Sequence, residues 1–387
     1  MIYFDNAATT LQKPPDVWRA AVQAMDTCGN PGRSGHKAAM RAAEIVYDCR
    51  CLAADFFGLK EPERVVFTMN ATHALNIAIK SCLKDGGHAV VSGYEHNSVV
   101  RPLEGLKEKG VTYTAARSPL FDPDQAYNAL AAALEEETRC VILTHVSNVF
   151  GFILPVEKVD ALCQRRGIPL IIDASQSAGI LPLDVSRLSA AAFVCMPGHK
   201  GLYGPQGTGI LLCCKDVSLY SVLEGGTGSL SGEKRQPDFL PDALESGTLN
   251  VPGIAGLAEG LRFVSRSREA IREREAALVR AAANGLSAIP GVTVWHDDAC
   301  QSGVLSFRAD WADPAGMGER LAQRGICLRS GVHCAPLAHQ SAGTLPEGTL
   351  RAGFSAFNTG REVEIFLQTV ENLRKSPETA KNTCFRY

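Results

Sequence analysis

The chain has 387 residues, of which 45% are hydrophobic and 21% charged, and its formal net charge is −2. This composition is ordinary for a globular protein with more than one structural unit, and the balanced charge gives no indication of nucleic-acid binding. No stretch reaches the roughly 18 uncharged apolar residues that a membrane span needs, and the first ten residues lack a signal-peptide pattern. We therefore expect a protein that binds neither nucleic acid nor membrane.

Thirteen cysteines are scattered along the sequence, many of them in apolar runs. Their odd number and irregular spacing favour reduced thiols in a cytoplasmic protein over a disulfide framework. No CxxC pair occurs, and Cys49 and Cys51 are too close together for the usual zinc patterns. We therefore expect a cytoplasmic location and no metal site.

Apolar, β-branched runs alternate with helical patterns through the first two thirds of the chain. Predicted strands cover 64–68, 88–92, 139–146, 169–175, 191–196 and 208–214, and predicted helices lie near 72–83, 98–109, 124–137 and 156–166. Buried strands that alternate with helices predict a mainly parallel sheet in an α/β domain.

The pattern changes after about residue 255. A long, charged helical pattern continues to Ile289, where Pro290 and Gly291 end it. Short strands and helices follow, which indicates a smaller α+β domain. The last dozen residues are polar, and we expect them to be loosely held.

Two chemically notable residues follow neighbouring predicted strands. Asp173 ends the strand in PLIIDASQSAG, and Lys200 lies in GHKGLYGPQGTG. Ligands of α/β sheets gather at the carboxyl ends of the strands. A lysine beside an aspartate suits pyridoxal phosphate, because the amine can form a Schiff base while the carboxylate keeps the pyridine nitrogen protonated. Taken alone, Asp173 could cap a turn and Lys200 could be a solvated loop lysine.

A phosphate site is predicted where the strand ending at Thr68 meets the helix starting near Thr72. Free amides at a helix N-terminus, with the Thr72 hydroxyl, bind anions well, although a routine helix cap has the same pattern. The GxxxxGK[ST] and GxGxxG motifs of other phosphate sites are absent. His96, in GYEHNSVV, could stack on a planar ring or be an ordinary polar surface residue.

Several short motifs occur together in the order found in class V pyridoxal-phosphate enzymes. They are YFDNAATT, NATHALN, EHNSVV, SNVFG, DASQSAG, GHKGLYGPQGTG, ESGTLN and RSGVHCAPL. The sequence resembles the cysteine desulfurases, and among them the branch of SufS and selenocysteine lyase-like proteins. The resemblance covers nearly the whole chain. It implies the type I fold, with a large domain (15–255) around a mainly parallel seven-stranded sheet and a smaller α+β domain (1–14 and 256–387).

The resemblance also implies roles for individual residues. Lys200 resembles the Schiff-base lysine, Asp173 the partner of the pyridinium, and His96 the catalytic histidine that stacks on the ring. The other residues that resemble cofactor contacts are Gln176 at the phenolic oxygen, Thr72 and His199 at the phosphate, Thr248 reaching the phosphate of a second subunit, Ala71, and Asn148, which also borders the substrate. Pro197 replaces a serine of many relatives and removes one hydrogen-bond donor from the phosphate site.

The substrate side of the predicted site contains Arg351, which resembles the clamp for a carboxylate, with Arg329 close by. Cys334 lies in the compact loop RSGVHCAPL, where Arg329 and His333 could favour the thiolate. The resemblance implies that L-cysteine is converted to L-alanine while Cys334 takes the sulfur as a persulfide, with L-selenocysteine as the alternative substrate. His333 is either a proton donor or part of the pocket wall, and an isolated cysteine is more often an inert core residue.

The expected partners are a sulfur-acceptor protein or thiol and a second copy of the chain. The compact loop predicts slow turnover without an acceptor. Rival interpretations are a selenocysteine lyase, a cysteine sulfinate desulfinase, another class V aminotransferase, or a non-enzymatic scaffold that binds pyridoxal phosphate. The pathway that receives the sulfur, iron–sulfur cluster assembly or another, stays open.

Overall fold

The structure, a computed structural model, describes residues 1–32 and 34–375. Its strands are β1 (Ile2–Tyr3), β2 (Val65–Thr68), β3 (Gly87–Ser92), β4 (Val111–Ala116), β5 (Thr138–Thr144), β6 (Leu170–Asp173), β7 (Ala191–Pro197), β8 (Gly209–Cys213), β9 (Val292–Trp295), β10 (Val304–Ala309), β11 (Ile326–Cys327), β12 (Arg329–Gly331) and β13 (Thr349–Gly353). Its helices are α1 (Pro15–Thr27), α2 (Lys37–Phe57), α3 (Ala71–Leu83), α4 (Asn97–Leu106), α5 (Pro123–Ala132), α6 (Val156–Arg166), α7 (Val251–Ser287), α8 (Pro314–Gln323), α9 (Pro336–Ser341) and α10 (Gly360–Lys375).

The central sheet has seven strands in the order β2-β8-β7-β6-β5-β3-β4. Only β8 runs antiparallel to its neighbours, and the remaining pairs are parallel. The predicted fold class, an α/β protein with a mainly parallel seven-stranded sheet, is therefore confirmed. Because β5, β6 and β7 are adjacent and parallel, their carboxyl ends meet at one rim.

Alternate residues of the central strands pack into two separate hydrophobic cores. In β6, Leu170 and Ile172 belong to one core and Ile171 belongs to the other. Side chains of a strand point to opposite faces in turn, so apolar residues at every position produce a sheet that is covered on both sides. This arrangement leaves the rim of the sheet as the place for polar residues.

A third core lies around the smaller antiparallel sheet, whose strand order is β12-β13-β10-β9. The N-terminal strand β1 pairs with β11, with Ile2 opposite Ile326. The chain start thus packs against the C-terminal part, as the predicted grouping of residues 1–14 with 256–387 requires. The domain boundaries themselves stay a prediction.

Sequence patterns missed β4, α1 and α2. Strand β4 is an edge strand with a partly exposed middle, so it lacks the continuous apolar run of the other strands. Helix α5 ends at Ala132, earlier than predicted, because the Glu135 amide donates to the Thr138 hydroxyl at the start of β5. The polar C-terminal dozen lies outside the described residues, among which no helix is long and apolar enough to cross a bilayer.

Candidate active site

Lys200 and Asp173 follow neighbouring strands at the rim of the central sheet. Asp173 ends β6, is buried, and accepts a hydrogen bond of 2.9 Å from the Ser175 amide. Burial raises the pKa of Asp173, and the charge of Lys200 partly opposes this rise. Burial lowers the pKa of Lys200 to about 8, with Asp173 opposing the change and two arginines adding to it. The amine is therefore partly neutral near neutral pH, as a nucleophile must be.

Two glycines bring the loops after β6 and β7 into backbone contact. A Cβ at Gly179, whose φ is +85°, would lie 2.2 Å from the Gly201 carbonyl oxygen, and a Cβ at Gly201 would lie 2.4 Å from the Ala178 oxygen. A side chain at Gly179 or Gly201 would therefore force one of the two loops to move. The glycines on either side of this contact therefore serve the approach of the two loops that carry Asp173 and Lys200.

The predicted phosphate site and His96 are joined by a chain of hydrogen bonds. The Thr72 hydroxyl, in the first turn of α3, lies 2.8 Å from the Ser98 hydroxyl, which lies 2.8 Å from Nδ1 of His96. Ala71 is the first residue of α3. Burial, followed by the charge of Lys200, lowers the pKa of His96 to about 4. His96 is therefore a neutral ring, which suits stacking on a cofactor better than a cationic role.

The N-terminal segment closes the site beside His199 and Gln176. Nδ1 of His199 lies 3.1 Å from the Thr9 hydroxyl, and the His199 carbonyl accepts from the Thr10 hydroxyl at 3.0 Å. Nε2 of Gln176 donates to the Ala7 carbonyl at 2.9 Å. Both residues thus lie at the rim, as predicted, and their contacts to a cofactor stay a prediction.

Arg351 is buried and held by the chain's own groups. Its Nη2 pairs with Asp5 at 2.8 Å, and its Nη1 donates to the Asn148 carbonyl at 2.9 Å. Its Nε has no partner among the described residues. Arg329 lies directly opposite on β12, so two guanidinium groups converge where a substrate carboxylate is predicted to bind.

Cys334 lies in the four-residue loop between β12 and α9, and its side chain is exposed. His333 and Cys334 both have left-handed backbone angles, with φ of +54° and +56°. Two bonds hold this strained turn to the rim: Asn148 Nδ2 donates to the His333 carbonyl at 2.9 Å, and the Asn97 amide donates to the Cys334 carbonyl at 2.7 Å. Such strain is common where a reactive side chain is presented.

The charge beside Cys334 comes from Arg329, whose Nη2 lies 3.6 Å from the Cys334 sulfur. His333 is buried, and burial lowers its pKa to about 2, so its ring is neutral. The ring stacks on His339 with centroids 5.7 Å apart. A neutral ring adds no positive charge beside Cys334, and the choice between a proton donor and a part of the pocket wall stays a prediction.

Thr248 lies in the segment that precedes α7. It lies on an exposed loop in a cleft lined by Arg50 and Glu245, which form a buried ion pair. Thr248 also borders a second cleft with Thr68 and His73, near the start of α3. Its contact with the phosphate of a second subunit stays a prediction.

Sequence reasoning missed Asp5, Ser98 and Glu95. Glu95 is fully buried beside the rim, where its Oε1 accepts from the Ser92 hydroxyl at 2.5 Å and the Thr144 amide at 2.7 Å. Burial raises the pKa of Glu95 to about 8, and its Oε2 has no partner among the described residues. The only available signal was the position of each residue inside a quoted motif, YFDNAATT for Asp5 and EHNS for the other two.

The donor set fits pyridoxal phosphate. Lys200 offers an amine of lowered pKa to an aldehyde, and the buried Asp173 offers a carboxylate to a pyridinium nitrogen. The N-terminus of α3, with the Thr72 hydroxyl, offers donors to a phosphate. Asp173, Lys200 and the start of α3 each follow a strand of the central sheet, and their joint contact with one cofactor molecule stays a prediction.

Comparison with known proteins agrees with this reading. The family model of class V aminotransferases matches residues 2–366. A probable cysteine desulfurase of Methanothermobacter thermautotrophicus is 31% identical over 96% of this chain and 94% of its own length. A mycobacterial one, from Mycolicibacterium paratuberculosis, is 32% identical, and the chain spans 55% of its length.

Two solved structures share the fold over nearly the whole chain. The cysteine desulfurase of Thermococcus onnurineus has a TM-score of 0.85 at 31% identity, covering 97% of this chain and 94% of that one. The cysteine desulfurase CsdA of Escherichia coli has a TM-score of 0.84 at 27% identity, covering 96% and 94%. Fold and site thus define a class V aminotransferase-type enzyme that depends on pyridoxal phosphate. Within that class, the chain belongs to the cysteine desulfurase family.

Proposed function

We propose that this chain converts L-cysteine to L-alanine and retains the sulfur as a persulfide on Cys334 for transfer to an acceptor. The observation that carries the proposal is one rim that holds both reactive groups. The charges of Lys200 and Asp173 each act on the pKa of the other there, and the Cys334 loop is tied to the same rim through Asn97 and Asn148.

Lys200, Asp173, His96 and the start of α3 would hold pyridoxal phosphate. When bound, the cofactor draws electrons from the substrate carbon and so makes its α-proton acidic. The Nζ atom of Lys200, with its lowered pKa, is suited to take that proton and later return one. Neutral His96 covers the site without adding a competing charge.

Arg351 and Arg329 would hold the carboxylate of L-cysteine from two neighbouring strands. The Cys334 thiolate then attacks the substrate sulfur, and the bond between that sulfur and Cβ breaks. The carbon fragment takes up a proton and leaves as L-alanine, while the sulfur stays on Cys334 as a persulfide. The exposed loop leaves that persulfide accessible to an acceptor.

A homodimer is part of the proposal. Helix α1 exposes Trp18, Val22 and Met25 on one face, and α2 exposes Met40 and Tyr47. Exposed apolar groups of this kind are typical of interfaces between subunits. In this dimer, the exposed Thr248 would contact the phosphate bound in the second subunit.

The test is Cys334→Ala assayed with L-cysteine, with Cys28→Ala as a matched control at a half-buried cysteine outside the site. We expect Cys334→Ala to keep the yellow bound cofactor and to lose sulfur release by about 100-fold or more, because no thiolate remains to take the sulfur. Release at the wild-type rate would remove this mechanism and leave only the family and the fold. Competition with L-selenocysteine and cysteine sulfinate identifies the preferred substrate.

A further inference from the structure

A basic cleft opens beside Cys334, and its outer part is not used by the proposed reaction with L-cysteine. Its volume is about 590 Å³, and it lies between α3 and α4 with Cys334 and His96 at one end. Lys80, Arg101 and Lys109 line the part away from the site. We refer to this space as the basic cleft.

The cleft is more positive than the molecule as a whole. The chain carries a net charge of −2, yet none of the described residues that line the cleft is acidic. Within residues 1–32 and 34–375, Lys80, Arg101 and Lys109 form no ion pair with an acidic side chain. Unpaired cations that line a concave surface attract anions and raise their local concentration.

The cofactor alone does not account for all three of these charges. Lys80 lies eight residues after Thr72 on α3, which is about 12 Å along the helix axis. Arg101 and Lys109 are exposed, whereas the groups that fit the cofactor lie at the sheet rim. L-Cysteine carries one carboxylate, for which Arg351 and Arg329 are already placed.

We propose that the basic cleft binds a low-molecular-weight thiol that carries carboxylates, and that this thiol takes the sulfur from Cys334. The volume of the cleft is that of a small-molecule site rather than of a protein interface. Cys334 at its inner end places the persulfide beside a ligand whose carboxylates face Lys80, Arg101 and Lys109. This inference rests on the proposed function, which supplies the persulfide.

The transfer step balances without an oxidant or a reductant. The thiolate of the acceptor attacks the outer sulfur of the Cys334 persulfide, and a new S–S bond forms to the acceptor. The S–S bond to Cys334 breaks, and its electron pair leaves with Sγ of Cys334 as a thiolate. The acceptor departs as a persulfide, and Cys334 is ready for the next L-cysteine.

The test compares three thiols as acceptors: mercaptosuccinate, which carries two carboxylates, the neutral 2-mercaptoethanol, and the cationic cysteamine. The variants are Arg101→Glu and the double variant Lys80→Glu/Arg101→Glu. Lys60→Glu, which reverses an exposed lysine outside the cleft, is the matched control. Steady-state formation of L-alanine gives kcat/KM for each thiol, and the ratio of variant to wild type removes differences in intrinsic thiol reactivity.

We expect Arg101→Glu to lower kcat/KM for mercaptosuccinate about tenfold, and the double variant to lower it further. The value for 2-mercaptoethanol should change less than twofold, and the value for cysteamine should rise. Added salt should weaken the wild-type preference for mercaptosuccinate. Equal losses for all three thiols, an effect of the same size in Lys60→Glu, or a changed oligomeric state of the variants would each overturn the inference.

A second measurement separates this inference from the proposed function. With no thiol added besides the substrate L-cysteine, the enzyme should release one L-alanine per subunit in a burst, and the variants should give the same burst as wild type. A wild-type enzyme without a burst contradicts the proposed function itself. A normal burst without selectivity for mercaptosuccinate contradicts only the basic cleft as an acceptor site.

Discussion

Lys200 and Cys334 lie at the same rim, but their surroundings differ in almost every respect. Lys200 follows a strand of the buried sheet, and burial shifts its pKa by enough to make it partly neutral. Cys334 lies on a short exposed loop of the smaller part, with two left-handed residues and two hydrogen bonds to the rim. The reaction at the substrate carbon thus depends on a buried and rigid environment around Lys200. The transfer of sulfur depends on an exposed Cys334 that an acceptor can reach.

The largest effect on activity is expected from substitution of the buried Lys200. Lys200→Ala should reduce L-alanine formation by about 10³-fold or more, because both the covalent anchor and the proton-transfer group are removed. The visible absorption of the bound cofactor should change as well. Lys60→Ala, at an exposed lysine outside the site, is the control. L-Alanine formation within tenfold of wild type would show that the buried amine is not essential.

A smaller effect is expected at Asn148, which connects the rim of the central sheet to the Cys334 loop. Asn148→Ala removes the donor to the His333 carbonyl and leaves that buried oxygen unpaired, so persulfide formation on Cys334 should slow about 30-fold. The absorption of the bound cofactor should stay unchanged. Asn284→Ala, at an exposed position on α7, is the control. Loss of the cofactor in Asn148→Ala would show that this residue supports cofactor binding near Lys200 instead.

The smallest effect is the dependence of cofactor capture on pH. An amine attacks an aldehyde only when it is neutral, so capture of pyridoxal phosphate by the cofactor-free protein should rise with pH through about 8 and then level off. The expected gain between pH 7 and pH 9 is about tenfold. No step should appear between pH 5 and 7, because the pKa values of His96 and His199 are lowered to about 4. A rise centred near pH 6 would contradict neutral histidines at this rim.

Sequence patterns predicted much of the site because its parts follow strong local signals. Asp173 and Lys200 could be placed at one rim since each follows a continuous apolar strand and the strands are parallel. The type I fold followed from the resemblance of the motifs. The edge strand β4 was missed because partial exposure weakens its apolar pattern.

The contacts that orient the site were not predictable in the same way. Asp5 pairs with Arg351 across 346 positions of sequence, and Asn148 bonds to the His333 carbonyl across 185. The sequence left two roles open for His333, because it does not show that the ring is buried against His339. Distances and burial of this kind depend on how remote segments meet.

The sequence by itself determined the alternation of strands and helices, the reactive residues at the strand ends and the compact loop around Cys334, because these follow from local periodicity and chain spacing. Only the tertiary structure decided which charges are buried, which are paired and which line the basic cleft between α3 and α4. The physical reason is that pKa values, ion pairs and clefts depend on solvent exclusion, which arises when segments far apart in the chain pack together.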